Sequence, residues 1–386
     1  MDTNQIELEF KTRFGTSPTI FSSPGRINII GEHTDYNEGF VLPASIDKVI
    51  LVAIDKRNDQ EVHLYSIKYK ESFSTHLSAI KPAEKQWASY ILGVVHELQK
   101  LGLSFSGFNL VLDGDVPDGA GLSSSAALAC ATTYALNEIF KLKLEKLKMV
   151  QISQKAEHNF IGVMCGIMDQ FASMFGKKDH AIRLDCKTLA YTYVPVNIEG
   201  YKFVLFNSNV KHNLANSAYN DRREACLKGV ALIHEKYAGV NSLRDANLQM
   251  LDECVKTKDL AIYNKCKFVV EEIERVQLAC TDLKNNNLKS LGKRMYETHE
   301  GLSKVYEVSC QELDFLVGAV KPNRAVLGAR MMGGGFGGCT INLVKEDAIE
   351  ELTKELTVLY KQEFGLDLTS YIVKIGDGSQ LIKKPN

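Results

Sequence analysis

The chain is poor in most of the features that would classify it at sight. Its 386 residues hold one tryptophan and eight prolines, and 46 lysines and arginines almost balance 47 aspartates and glutamates. A formal net charge of −1 leaves no basic footprint for nucleic acid or for an anionic membrane surface. No apolar run approaches the ~20 residues that span a bilayer. The polar, acidic start Met1-Asp2-Thr3-Asn4-Gln5 does not resemble a secretory signal. Nine cysteines are scattered without Cys-x-x-Cys spacing, which argues against a zinc site and against a disulfide framework. Cys130, Cys165, Cys226, Cys266, Cys280 and Cys339 lie among apolar or helical neighbours, as expected of buried thiols in a reduced, cytoplasmic protein. No Gly-x-x-x-x-Gly-Lys-Ser/Thr occurs, so a P-loop nucleotide site is excluded. Internal repeats and low-complexity segments are missing too.

What is present is more telling. Pro117-Asp118-Gly119-Ala120-Gly121-Leu122-Ser123-Ser124-Ser125-Ala126-Ala127 runs into an apolar, helix-forming segment that continues to about Phe140. Glycines let backbone N–H groups approach an anion, and a helix N-terminus adds unpaired donors and a favourable dipole. A hydroxyl in that first turn can ligate the Mg²⁺ that accompanies nucleotide phosphates. Two readings stand at this point, a triphosphate cradle and a serine-rich helix cap.

The length predicts two domains, with a seam near Val196–Gly200, where Pro195 and Gly200 punctuate the pattern. Strands and helices alternate in an order that predicts α+β rather than repeated βαβ units. Phe21 and Arg26–Gly31 read as strands broken at Pro24-Gly25, and Val49–Asp55 and Glu61–Ile67 as a pair joined by a turn. Apolar residues at Trp87, Ile91, Val94, Val95, Leu98 and Leu101 predict a helix with one buried face. Phe108–Leu112 is a strand delivering the chain into the serine loop. Further helices are expected over Glu145–Phe160, from near Met168, over Ala218–Glu235, between Val240 and Leu316, and over Ala348–Phe364. Tyr201–Phe206 and Cys339–Val344 read as strands.

Three further stretches could carry chemistry. In Pro24-Gly25-Arg26-Ile27-Asn28-Ile29-Ile30-Gly31-Glu32-His33-Thr34-Asp35-Tyr36-Asn37 a strand ends at Gly31 and a polar run follows. Glu32, His33 and Asp35 at a strand end suit a sugar, whose hydroxyls each need a donor and an acceptor. A metal role for His33 is disfavoured, because no second histidine sits at ligand spacing. In Cys165-Gly166-Ile167-Met168-Asp169-Gln170 the aspartate falls in a first helical turn. It is either a helix-start residue or a base kept ionised by the dipole, with Arg26 as a possible partner. Glu157 could complete a Mg²⁺ shell with Ser125. Met332-Gly333-Gly334-Gly335-Phe336-Gly337-Gly338-Cys339 formally satisfies the dinucleotide fingerprint. With a helix expected before it and a strand after, its context is the reverse of a Rossmann unit. It reads instead as a hinge or as a loop passing close to substrate or phosphate.

Together, in this order, these blocks resemble the GHMP family of small-molecule kinases. Gly31-Glu32-His33-Thr34-Asp35-Tyr36-Asn37 resembles the narrower signature of its galactokinase branch. So do Cys165–Gln170 and Asn207-Ser208-Asn209-Val210-Lys211-His212, continuing to Tyr219-Asn220-Asp221-Arg222-Arg223. The resemblance spans nearly the whole chain. It implies an N-terminal domain (1–198) like ribosomal protein S5 domain 2 and a ferredoxin-like C-terminal domain (199–386), with the active site in the cleft between them. It further implies transfer of the γ-phosphoryl of MgATP to O1 of α-D-galactose. By position, Asp169 and Arg26 would be catalytic, and Glu32, His33, Thr34, Asp35, Gly166 and Tyr219 would meet the sugar. Ser66 and Gly119, Ala120, Gly121, Leu122, Ser123, Ser124 and Ser125 would meet the nucleotide, with Ser125 and Glu157 on Mg²⁺. Related sugar-1-kinases acting on N-acetylgalactosamine, arabinose or galacturonate, and a silent sugar and ATP sensor, are the competing expectations. The expected partners are small molecules, with neither nucleic acid nor membrane, and the chain is expected to be a monomer.

Overall fold

A computed structural model describes residues 3–210 and 215–385. Lys211 and His212 of the motif above lie outside the described residues. The chain opens with helix α1 (Thr3–Phe14) and strands β1 (Thr19–Asn28), β2 (Phe40–Val41), β3 (Pro43–Lys56), β4 (Glu61–Ser66) and β5 (Glu71–His76). Then come α2 (Gln86–Lys100), β6 (Phe108–Gly114), α3 (Ser124–Phe140), α4 (Lys146–Ala156), α5 (Met168–Phe175), β7 (His180–Asp185) and β8 (Tyr191–Pro195). The second half holds β9 (Tyr201–Asn207), α6 (Ala215–His234), α7 (Leu248–Cys254), α8 (Leu260–Lys284), α9 (Leu288–Glu300) and α10 (Gln311–Val320). It ends with β10 (Val326–Met331), β11 (Cys339–Lys345), α11 (Ile349–Phe364), β12 (Thr369–Val373) and β13 (Gln380–Lys383). No described helix is long and apolar enough to cross a membrane.

The first half is built on a six-stranded sheet in the order β13-β1-β3-β6-β4-β5, with a small β2-β7-β8 sheet beside it. Helix α3 packs on β1 and β3. Its Ala126, Ala127, Ala129, Ala131 and Ala135 are buried, and small side chains let neighbouring backbones approach. The second half is a four-stranded antiparallel sheet, β10-β11-β9-β12. This is the order of a ferredoxin-like unit. One apolar cluster runs through both halves, joining Ile29, Ile30 and Phe40 to Phe268, Ile273 and Val276.

Three expectations are corrected. Strand β1 is not broken at Pro24-Gly25; it continues through, with a register shift between Pro24 and Arg26. A Cβ at Gly25 would lie 2.7 Å from the Leu122 carbonyl oxygen, so the irregularity brings the phosphate-loop candidate against β1. Strands β3 and β4 do not pair with each other, because β6 lies between them, antiparallel to one and parallel to the other. Finally, a strand rather than a helix precedes the Gly-rich segment: β10 and β11 pair antiparallel across it. Either way it is no Rossmann turn.

Candidate active site

Two cavities lie near the serine loop: Asp169, on the wall of the first, accepts from Ser123, and Ser124 and Ser125 line the second. The first, about 320 Å³, is lined by Arg26, Glu32, His33, Asp35, Gly166 and Asp169, and from the second half by Tyr219 and Gly333 to Gly335. The second, about 580 Å³, is lined by Ser66, Lys68, Tyr69, Trp87, Gly119, Ser124 and Ser125, among others.

Asp169 sits in the first turn of α5. The buried Arg26 guanidinium donates from Nε to its Oδ1 at 2.9 Å. Ser123 Oγ donates to its Oδ2 at 2.6 Å. Both carboxylate oxygens are therefore addressed by side chains from β1 and from the serine loop. Arg26 also donates to the Gly121 carbonyl, tying the loop to the same point. The helix-cap reading of the serines loses support here. Ser123 has the left-handed φ of 59° and makes no side-chain cap to α3, so the first N–H groups of the helix keep their donors uncapped by it. Gly119 and Gly121 also take positive φ, 69° and 70°, within this tight loop. Ala120 and Leu122 are buried as whole residues, and the Leu122 carbonyl accepts from the Arg26 N–H at 3.1 Å.

Glu157 lies in a π-helical turn, Glu157–Ile161, that follows α4. It is buried, and its Oε2 is 3.3 Å from Ser125 Oγ while Oε1 accepts from Gln170 at 2.7 Å. Burial, then the neighbouring Asp169 charge, pushes its pKa up to about 7. Among the described residues, no cluster of three or more His, Cys, Asp or Glu could hold a metal. One carboxylate and one hydroxyl suit Mg²⁺, which keeps several waters and completes its shell with phosphate oxygens.

On the wall of the first cavity, Glu32 is almost fully buried, and its Oε1 accepts from Arg330 Nη1 and Nη2, both at 3.1 Å, and from Gly333 N–H at 2.9 Å. Arg330 is itself fully buried and also caps the carbonyls of Asn28 and Ile29. Asp35 has its pKa raised to about 7 by burial and then by Asp169. A Cβ at Gly166 would lie 1.6 Å from Asp35 Oδ2, so only glycine leaves that carboxylate where it is. Gly166→Ala is expected to displace Asp35 and raise the KM of the substrate held in this cavity about 10- to 100-fold, the weight of one or two charge-assisted hydrogen bonds. Steady-state kinetics with each substrate varied checks this; an equal rise in KM for a substrate held in the second cavity would refute a local effect.

Thr34 departs from expectation. Its side chain is fully buried and its hydroxyl lies 3.0 and 2.6 Å from the carbonyls of Gly31 and Phe40, so its single proton is shared between them. It shapes the turn and does not line the cavity. Arg330, Tyr36 and Tyr306 brace Glu32 and His33. Arg330 and Tyr306 act across long sequence separations that no local motif announces, whereas Tyr36 lies within the Gly31–Asn37 motif, three residues from the ring it bonds. The Gly-rich turn meets the serine loop directly, since a Cβ at Gly121 would come within 3.4 Å of the Met332 carbonyl oxygen.

The chain is similar to known proteins along nearly its whole length. The galactokinase galactose-binding signature matches residues 8–56, the GHMP kinases N terminal domain 89–177, and the GHMP kinases C terminal domain 279–361. A galactokinase of Thermotoga petrophila is 42% identical over 93% of this chain and 99% of its own length. One from Clostridium acetobutylicum is 40% identical over 98% and 99% respectively. Among solved structures, Lactococcus lactis galactokinase complexed with galactose superposes with a TM-score of 0.94 at 35% identity, covering 98% of this chain and 99% of that one. The mevalonate kinase of Methanococcus jannaschii shares the fold alone, with a TM-score of 0.68 at 19% identity over 94% of this chain and 99% of that one. With relatives of that identity matched end to end and three consecutive domain matches in the expected order, the chain belongs to the galactokinase family of the GHMP kinases.

Proposed function

We propose that this chain transfers the γ-phosphoryl group of ATP to O1 of α-D-galactose, giving α-D-galactose 1-phosphate and ADP. The single observation carrying this reading is the position of Asp169 on the wall of the first cavity, clamped by Arg26 and by Ser123, whose neighbours Ser124 and Ser125 line the second. Galactose occupies the cavity walled by Glu32, His33, Asp35, Gly166 and Tyr219. The triphosphate lies along Gly119 to Ser125, with the rest of the nucleotide toward Ser66. The sugar signature and serine loop then belong to an N-terminal unit, 1–198, and the Gly-rich turn to a C-terminal unit, 199–386, whose last strand returns to β1.

Asp169 accepts the O1 proton as the hydroxyl attacks, a form of general-base help typically worth ~10²–10⁴-fold. Arg26 keeps the carboxylate aimed and faces the charge that develops at the transferred group. Most of the remaining acceleration comes from alignment, as in phosphoryl transfer generally. Ser125 and Glu157 hold Mg²⁺, which supplies charge neutralisation on the phosphates when bound. The deciding experiment mixes purified protein with MgATP and a panel of sugars and follows products by ³¹P NMR. A 1-phosphate formed from galactose in preference to N-acetylgalactosamine, arabinose and galacturonate is expected; no product from galactose defeats the reading.

Glu157 gives a pH dependence of definite sign. Its raised pKa means that the free protein carries a proton there below about pH 7, which Glu157 would have to lose to hold Mg²⁺. The Mg²⁺ concentration for half-maximal turnover is therefore expected to fall as pH rises from 6 to 8, approaching a plateau above 7. Glu157→Gln should flatten that dependence, and a wild-type profile already flat across this window would contradict the role.

A further inference from the structure

In the first cavity His33 Nε2 is buried without a hydrogen bond of normal geometry, and the Gly334 backbone is the group beside the ring that competes for its proton. Burial lowers the imidazole pKa to about 4, so the ring is neutral at physiological pH. A neutral imidazole has one proton, and one nitrogen donates while the other accepts. What faces the far nitrogen decides which. On that side stands a row of hydroxyls: His33 Nδ1 is 2.8 Å from Tyr36 Oη, which is 2.8 Å from Tyr306 Oη, with Cys226 Sγ 3.4 Å beyond. Tyr306 and Cys226 are fully buried. The His33 ring is packed on Tyr306 and Tyr219, with centroids 4.9 and 5.4 Å away, so it is held in place. Its backbone, at a φ of 62°, is fixed by Asn37 Nδ2 donating to the His33 carbonyl at 2.9 Å.

Each phenol owns a single proton, so the row has two possible polarities. In one, Cys226 S–H donates to Tyr306, Tyr306 to Tyr36, and Tyr36 to His33 Nδ1, leaving the ring proton on Nε2. In the other, every bond reverses and the row ends with Tyr306 donating to sulfur. The first sets a phenol against the most basic acceptor present; the second finishes on a weak one. The first polarity is favoured.

We propose that Tyr36 and Tyr306 are positioning residues that hold His33 as its Nε2–H tautomer, so that this nitrogen donates to a sugar hydroxyl oxygen. The inference rests on the sugar-kinase reading of the same cavity. Glu32, Asp35 and Asp169 line that cavity with carboxylates, and a hydroxyl that donates to one of them still has lone pairs to satisfy. An N–H at His33 supplies the complementary donor.

The test uses the full chain labelled with ¹⁵N-histidine and long-range ¹H–¹⁵N correlation spectra, with the His33 signals identified by their loss in His33→Gln. In sugar-free wild type, His33 is expected to carry its proton on Nε2. Tyr36→Phe keeps the ring packing but removes the donor to Nδ1. It should average the two ¹⁵N shifts toward a mixture of tautomers and raise the galactose KM about 5- to 10-fold, with kcat within about twofold of wild type. Tyr306→Phe should move both readouts in the same direction and by less. Protonation on Nδ1 in wild type overturns the proposal, and so does Tyr36→Phe with unchanged shifts and unchanged KM. Because the spectra need no sugar, the expected tautomer in a protein that fails to phosphorylate galactose would support the relay while defeating the proposed activity.

Discussion

Asp169→Asn is expected to fold normally, to bind ATP and galactose with near-wild-type affinity, and to lose between about 10² and 10⁴ in kcat. The reasoning is geometric. Asparagine has the same shape, so its carbonyl oxygen can still accept from Arg26 Nε, now 2.9 Å from the carboxylate. Its amide nitrogen would face Ser123 Oγ, which can rotate from donor to acceptor. Packing is preserved, while the capacity to take a proton is gone. Binding by calorimetry and turnover by coupled ADP release separate the two effects. A variant that retained more than about a tenth of wild-type kcat would remove Asp169 from the role of base. A variant that lost both binding and turnover would point to a displaced helix α5 instead.

Arg330→Met should have the largest effect on stability. It removes the partner charge that bridges to Glu32 from the second half, in a place where Arg330 is fully buried and Glu32 almost so. Breaking a buried ion pair by removing one member typically costs ~3–5 kcal/mol, because the other charge is left without compensation. The loss of donors to Asn28 and Ile29 carbonyls adds to this. A fall in Tm of roughly 5–10 °C is expected by scanning calorimetry. The double variant Glu32→Leu, Arg330→Met should recover part of that loss, since an apolar replacement of both partners is often neutral. Equal destabilisation in single and double variants would show that the carbonyl contacts, and not the ion pair, dominate.

These two residues also mark what could and could not be read from the chain. Asp169 was legible because it sits in a first helical turn beside Gly166, within a few positions of other polar residues. The serine loop was legible for the same reason: its glycines, its hydroxyls and its helix are contiguous. Arg330 was not, because its partner lies 298 residues away and its own neighbours, Ala329 and Met331, suit a helix as readily as a strand. The placement of β6 between β3 and β4 is likewise a long-range choice, made by the sheet and invisible to local periodicity. Thr34 illustrates the opposite error. Its place in a sugar-binding motif suggested a contact, but its hydroxyl is consumed by the turn that presents its neighbours.

The pairing of β13 with β1 joins residues 380–383 to a strand that begins at Thr19. During synthesis the outer edge of β1 therefore lacks this hydrogen-bonding neighbour until residues 380–383 have been made, and a nascent chain paused before them exposes a ready template for mispairing. Production at lower temperature or with chaperone support should help this protein more than one whose sheets close in order of translation.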